Sequence, residues 1–233
     1  MTKVVSIYNQ KGGVGKTTTN INLSAYVSLL GYKVLVIDAD PQGNTTSGFG
    51  FEKDNLESTL YDGMVNNISM EDIILKTRYE NLDLVPSDAN LAGAEIEINQ
   101  KSEKELRIRK LIDQLNEKYD YIFIDCPPSL GLISINALTA SHSVLIPIQC
   151  EYYAIEGVSQ LVKTIDLVRR GLHIPLEIEG IVLTMYDGRT NLSLQVAEEV
   201  RKFFKDKVFK TMIPRNVRLA EAPSYGETIE EYD

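Results

Sequence analysis

Residues Lys11-Gly12-Gly13-Val14-Gly15-Lys16-Thr17-Thr18 lie between a short apolar run, 3–8, and a helix-forming stretch that ends at Gly31. A chain that wraps phosphate oxygens needs positive φ angles and no Cβ in the way, so that its backbone N–H groups converge on the anion. Gly12, Gly13 and Gly15 meet that need. Lys16 adds a point charge for the β and γ phosphates, Thr17 a hydroxyl ligand for Mg2+, and the following helix its positive N-terminus. A Gly-Lys-Thr triplet between strand and helix is a specific signal, and it predicts a loop over 11–18 that binds the phosphates of a nucleotide with Mg2+.

Two further runs, 33–38 (Lys-Val-Leu-Val-Ile-Asp) and 120–125 (Asp-Tyr-Ile-Phe-Ile-Asp), are short, apolar and end in aspartate, the pattern of buried parallel strands. Asp38 and Asp125 then stand at strand C-termini. Asp125 is the expected Walker-B carboxylate, holding Mg2+ through a water ligand; a helix cap is its plainer reading. In Asp38-Ala39-Asp40-Pro41-Gln42-Gly43-Asn44 two carboxylates can polarise a water for attack on the γ-phosphate. Asp40 is the candidate for hydrolysis and Asp38 a supporting metal ligand, against the alternative of a simple Asp-Pro turn.

Core strands are also expected at 82–85, 143–148 and 179–184, about six in all. A helix over 102–118 opens on a Ser102/Glu105 capping box and carries Ile108, Leu111, Ile112, Leu115 and Tyr119 on one stripe. Val158, Leu161, Val162, Ile165 and Val168 repeat that spacing, as do Val196, Val200, Phe203 and Phe204. Such alternation predicts a P-loop α/β fold of three layers: a mainly parallel twisted sheet, helices on both faces, and the ligand in the crevice at the strands' carboxyl ends.

With 233 residues, 43% of them apolar, one domain over 1–233 is expected to fold without disulfides or a structural metal. Cys126 and Cys150 are too few and too far apart for a disulfide framework or a compact zinc pattern. Without a signal-peptide pattern or a run of about 18 apolar residues, a soluble, cytoplasmic protein is expected. The formal charge of −9 argues against a chain coated in nucleic acid, yet 201–218 carries seven basic residues against one acidic. From charge alone this stretch is either a solvated helix surface or a face for polyanions.

The loop departs from the general G-x-x-x-x-G-K-[ST] pattern: Gln10 occupies the first glycine position and Lys11 precedes the glycine pair. In this it resembles the ParA/MinD class of ATPases, whose loop reads x-K-G-G-x-G-K-T. The resemblance extends through 125–131, 151–157 and 184–191, which are similar to ParA/Soj chromosome-partitioning ATPases, and so covers nearly the whole chain. It implies that Lys11, by position alone either a ligand or a solvated loop lysine, contacts the nucleotide of a second subunit. It likewise implies that Asp40 orients the attacking water. Segment 213–224 is similar to the family's stretch beside the adenine, which places base contacts near Pro214 and at Met185, a residue that is otherwise plain core.

Family members bind DNA nonspecifically as ATP-bound dimers, and Arg189 and Arg218 match the positions of those contacts. The implied cycle has ATP joining two monomers, the dimer holding double-stranded DNA in the nucleoid, and slow hydrolysis, stimulated by a ParB-type centromere-binding partner, resetting both. Two other readings compete. A MinD-like membrane-positioning ATPase needs a basic amphipathic terminal helix, whereas 219–233 carries five acidic residues and no basic one, so no membrane partner is expected. A redox ATPase like the nitrogenase iron protein needs cluster-holding cysteines, and Cys126 and Cys150 do not sit in segments resembling its ligands.

Overall fold

The computed structural model describes residues 2–116, 118–152 and 154–233, together with the side chains outside 153–156. Eight strands join one sheet: β1 (Lys3–Ile7), β2 (Val34–Asp38), β3 (Leu75–Lys76), β4 (Leu82–Val85), β5 (Tyr121–Asp125), β6 (Ser143–Gln149), β7 (Glu177–Tyr186) and β8 (Val208–Pro214). Their spatial order is β3-β4-β2-β5-β1-β6-β7-β8, and every pairing is parallel except β3 with β4. From β1 the chain first builds outward on the β2 side and later, from β5, crosses to β6 on the other. The order reverses around β1, and the crevice beyond its carboxyl end is where such sheets take ligands.

Alternation along the strands sorts the core into two layers. Val4, Leu35, Ile37, Ile122 and Ile124 face one way, and Val5, Val34, Val36, Tyr121 and Phe123 the other. Helices α1 (Lys16–Leu29) and α2 (Asn44–Gly48) lie on the second face. On the first lie α3 (Leu60–Asn66), α4 (Met70–Ile73), α5 (Leu91–Ile98), α6 (Arg107–Asp113), α7 (Leu132–Ala140), α8 (Ala154–Leu172) and α9 (Asn191–Phe204). Short helices α10 (Arg218–Glu221) and α11 (Ile229–Tyr232) follow β8. Between α1 and strands β6 to β8 the second face holds an apolar groove of about 660 Å3, floored by Leu145, Val182, Phe209 and Ile213.

Three expectations change. The helix expected over 102–118 is a single 3-10 turn at Lys104–Leu106 followed by α6 alone. Glu103 takes a left-handed φ of 52°, so Ser102 cannot cap, and Asn136 of α7 does so instead: its Oδ1 accepts from Ile108 N at 3.3 Å, while its Nδ2 donates to the Lys104 carbonyl at 2.7 Å. The sheet has eight strands rather than six because β3 is two residues long and β8 is a half-exposed edge carrying Lys210 and Thr211, without the apolar run of a central strand. The basic stretch 201–218 is not one helix surface; it runs from the last turn of α9 through β8 to the start of α10. The helix end at Gly31 stands as read, with φ 90° there.

Candidate functional site

Strand β1 and helix α1 hold the glycine loop between them. Gly13 (φ 72°) and Gly15 (φ 88°) both adopt left-handed backbone, and no atom lies within 4 Å of where a Cβ at Gly12 or Gly13 would stand. This is an open cradle of main chain that side chains would fill. Thr184, at the end of β7, braces it by donating to the Val14 carbonyl at 2.8 Å. Lys16 is 7% exposed, and its ammonium donates to the Lys11 carbonyl at 3.1 Å, arching back over the loop. Burial lowers its pKa, while the charges of Asp125 and Asp40 oppose that. An anion in the cradle would add to the counter-charge that Asp125 and Asp40 give this buried lysine.

The strand register brings the aspartates together: Asp38 pairs with Asp125, and Ile7 pairs with Asp125 from the other side. Both carboxylates are fully buried. Asp125 Oδ2 accepts from Thr17 Oγ1 of α1 and from Thr45 Oγ1 of α2, each at 2.7 Å, while Asp125 Oδ1 is buried with no hydrogen-bond partner among the described residues. Asp38 Oδ2 accepts from Thr46 N at 2.8 Å and Thr46 Oγ1 at 2.7 Å, and its Oδ1 accepts from Asp40 N at 3.2 Å. Burial pushes both carboxyls up. The charge of Asp125 adds to the rise at Asp38, and that of Asp40 to the rise at Asp125.

Asp40 closes the segment. Its Oδ1 accepts from Gln42 N at 3.0 Å and its carbonyl from Ser87 Oγ at 2.9 Å, while Gly43, with φ 60°, starts α2. Ser87 N in turn donates to Thr46 Oγ1 at 2.9 Å. Thr45, Thr46 and Ser87 are therefore site residues that the sequence reading passed over. Their only signal is the Pro86-Ser87 break after β4, since hydroxyls on a loop look alike until the fold aims them.

Met185 and Pro214 both line a cavity of about 320 Å3 beside Gly15 and Thr18, together with Asn216. Met185 holds a left-handed φ of 51°, uncommon for a side-chain-bearing residue and costly enough to need support from its surroundings. Lys11 lies on the opposite side of the loop, its ammonium ion-paired with Glu151. Arg189 and Arg218 stand at one corner of the sheet, after β7 and β8, which are tied there by Arg215 N donating to the Tyr186 carbonyl at 3.1 Å. Arg189 grips both oxygens of Asp187 (2.9 and 2.8 Å), holding that carboxyl down at about 2, while Arg218 pairs with Asp233. Both cysteines are free and buried, and burial pushes the Cys150 thiol up to about 11, the reverse of a ligating thiolate.

A family model described as an AAA domain matches residues 2–178. The chain is 57% identical, over all its length and 92% of the relative's, to the sporulation initiation inhibitor protein Soj of Bacillus subtilis. It is 51% identical, over 99% of its length and 82% of the relative's, to the chromosome partitioning protein ParA of Myxococcus xanthus. The chain belongs to the ParA/Soj family of chromosome-partitioning ATPases. Its fold also matches a structure of cobyrinic acid a,c-diamide synthase from Mycobacterium smegmatis with bound ADP and magnesium: TM-score 0.87, 35% identity, 99% of this chain and 93% of that one.

Oxygen donors in this ParA/Soj-family site fit a hard divalent cation. Asp125, whose Oδ2 accepts from the Thr17 hydroxyl, carries an orphaned, buried Oδ1, and with Asp38 it makes two buried carboxyl groups at the foot of the loop. Among the described residues no group of three or more His, Cys, Asp or Glu side chains is placed to cage a metal. No helix among the described residues is long and apolar enough to cross a membrane.

Proposed function

We propose that this partitioning ATPase binds Mg-ATP at 11–18, dimerises across the nucleotide, holds DNA nonspecifically as the dimer, and is reset by slow hydrolysis. The observation that carries the reading is one carboxylate oxygen. Asp125 Oδ2 accepts from Thr17 on the phosphate-loop helix and from Thr45 on α2, so the loop and the segment bearing Asp40 are latched through a single atom. A change in what Thr17 and Asp125 bind is felt directly by α2. Such a shared contact is what makes a nucleotide a switch.

The residues divide the work as follows. Main-chain N–H groups of Gly12, Gly13, Val14 and Gly15 cradle the phosphates, Lys16 meets the β and γ oxygens, and Thr18 stands in the first turn of the helix behind them. Thr17 and Asp125 would hold Mg2+, which when bound neutralises charge building on the phosphate oxygens. Asp38, whose oxygens already serve Thr46 and Asp40, supports the metal site by fixing α2 behind it. Asp40 orients the attacking water. Met185 and Pro214 border the base. Lys11 reaches the nucleotide of the second subunit, so occupancy and oligomeric state are linked.

Arg189 and Arg218 then lie on the DNA face, doubled by dimerisation, and contact phosphates rather than bases. A ParB-type protein is the proposed stimulator of hydrolysis, and the ATP state the one that associates with the nucleoid in the cytoplasm. The test is binding to a random-sequence duplex with ATP, ADP or no nucleotide over a salt series, with molecular mass followed in parallel. Binding that needs ATP, coincides with dimer mass and falls with log salt at a slope of roughly −4 to −5, for four to six neutralised phosphates, is expected. ATP-driven dimers that ignore DNA overturn the DNA assignment and favour a membrane-positioning role.

A further inference from the structure

Strands β2 and β4 run parallel with Ile37 beside Val85, so the residues that leave them travel together: Asp38-Ala39-Asp40 from one and Pro86-Ser87 from the other. Ser87 is fully buried. Its N–H donates to Thr46 Oγ1 at 2.9 Å and its hydroxyl to the Asp40 carbonyl at 2.9 Å. The Pro86 carbonyl before it accepts from Leu60 N, at the start of α3, also at 2.9 Å. Ser87 is thus fixed to the body of the protein and reaches into the segment that follows β2. The peptide it meets there has a single handle. Residue 41 is proline, with no N–H, so the Asp40–Pro41 peptide can be held only through the Asp40 carbonyl. That carbonyl accepts from Gly43 N at 2.9 Å, a donor in the same turn, and from Ser87, its one donor outside that turn among the described residues.

We infer that Ser87 is a positioning residue for hydrolysis, which acts on the attacking water through Asp40 and not on the nucleotide. The inference rests on the role proposed above for Asp40. On the other side of the residue, Asp40 N donates to Asp38 Oδ1 at 3.2 Å, so with Ser87 in place both peptides flanking the Asp40 Cα are pinned and the direction of the side chain follows. Gln42 N donates to Asp40 Oδ1 at 3.0 Å, and no other hydrogen bond reaches this carboxyl among the described residues, so Oδ2 is the oxygen left to hold a water. Without the Ser87 hydroxyl the Asp40 carbonyl keeps Gly43 N and is not stranded, but the turn 40–43 can swing as a unit. Rate is sensitive to such small misplacement of a group that orients a reactant. A hydrogen bond of this kind is worth about 2- to 13-fold in an equilibrium, and turnover should fall by that factor when it is removed.

The test is ATP hydrolysis by the full chain with Mg2+, in steady state and in single turnover, on wild type, Ser87→Ala, Asp40→Ala and Asp40→Ala/Ser87→Ala. Binding of a non-hydrolysable ATP analogue is followed by calorimetry and folding by circular dichroism. Ser87→Ala is expected to lower kcat by about 2- to 13-fold while KM and the analogue's Kd stay within about two-fold of wild type. In the Asp40→Ala background the same change should leave the residual single-turnover rate where it was, because the residue through which Ser87 acts is gone. Ser87→Cys, close to serine in volume and a weak donor, is expected to lower kcat in the same direction and carries the test if the alanine variant does not fold. Unchanged kcat in a folded variant overturns the inference, as does a loss that appears in KM instead of kcat or recurs in full without Asp40. Failure of the underlying reading looks different: there Asp40→Ala hydrolyses ATP as wild type does.

Discussion

Replacing Gly43 by alanine and Gly12 by alanine makes the same chemical change twice in one site, and the structure assigns opposite consequences. At Gly43 the backbone is left-handed (φ 60°), and a Cβ would stand 2.7 Å from the Ser87 carbonyl oxygen and 2.7 Å from Lys53 Cδ. The lysine methylene can swing aside. Ser87 cannot, because its N–H and hydroxyl bind Thr46 and Asp40. A left-handed alanine costs about 1–2 kcal/mol and an unrelieved overpacking contact about 1–3 kcal/mol. Their sum, roughly 2–5 kcal/mol, corresponds at this chain length to a fall in melting temperature of about 5–15 °C. At Gly12 nothing lies within 4 Å of the added methyl, so the nucleotide-free protein should melt within about 1 °C of wild type. In a loop whose N–H groups are proposed to take the phosphates, the added methyl should lower ATP affinity by about ten-fold or more, some 1.4 kcal/mol. Thermal unfolding by circular dichroism and calorimetric ATP titration of both variants decide the matter. A Gly43→Ala protein as stable as wild type, or a Gly12→Ala protein that binds ATP normally, refutes the account of the loop.

Asp40→Ala should retain ATP-dependent dimers and lose turnover, and unchanged phosphate release in a steady-state assay removes Asp40 from the hydrolytic role. The buried pair Asp38 and Asp125 has folded-state pKa values above the unfolded carboxylate value of about 3.9, so the folded, nucleotide-free chain binds more protons than the unfolded one over that range. Their contribution to stability is therefore fully present below pH about 4 and lost as pH rises through the raised values. Melting temperatures measured upward from pH 5 should decline less steeply in Asp125→Asn than in wild type, and parallel profiles would contradict the assigned cause. Arg189→Ala should reduce the salt slope of DNA binding by about one for each phosphate it no longer neutralises, with ATP binding intact; a slope equal to wild type removes Arg189 from the interface.

The glycine loop, the strand-end aspartates and the parallel α/β order were legible because each rests on local chemistry. Glycines needing positive φ, an apolar run that ends in a carboxylate, and a helix that starts on Lys-Thr all announce themselves within ten residues. The 102–118 helix misled for the same reason. Its capping box is a local signal, overridden when Asn136 from another helix capped the chain at Ile108 and left Glu103 in a left-handed turn. Strand β8 was missed because edge strands, wet on one side, lack the apolar run that central strands need.

What the sequence determined by itself was the kind of candidate site: which glycines can form a phosphate cradle, which residues carry negative charge, and where along the chain they stand. Only the tertiary structure decided their connections. Thr17 and Thr45 share one oxygen of Asp125, Thr46 and Ser87 secure α2, and Glu151 holds Lys11, each across a separation that no spacing rule encodes. The physical reason is that hydroxyls, carboxylates and ammonium groups acquire partners by direction and distance, and those are set when strands far apart in sequence take up register in one sheet.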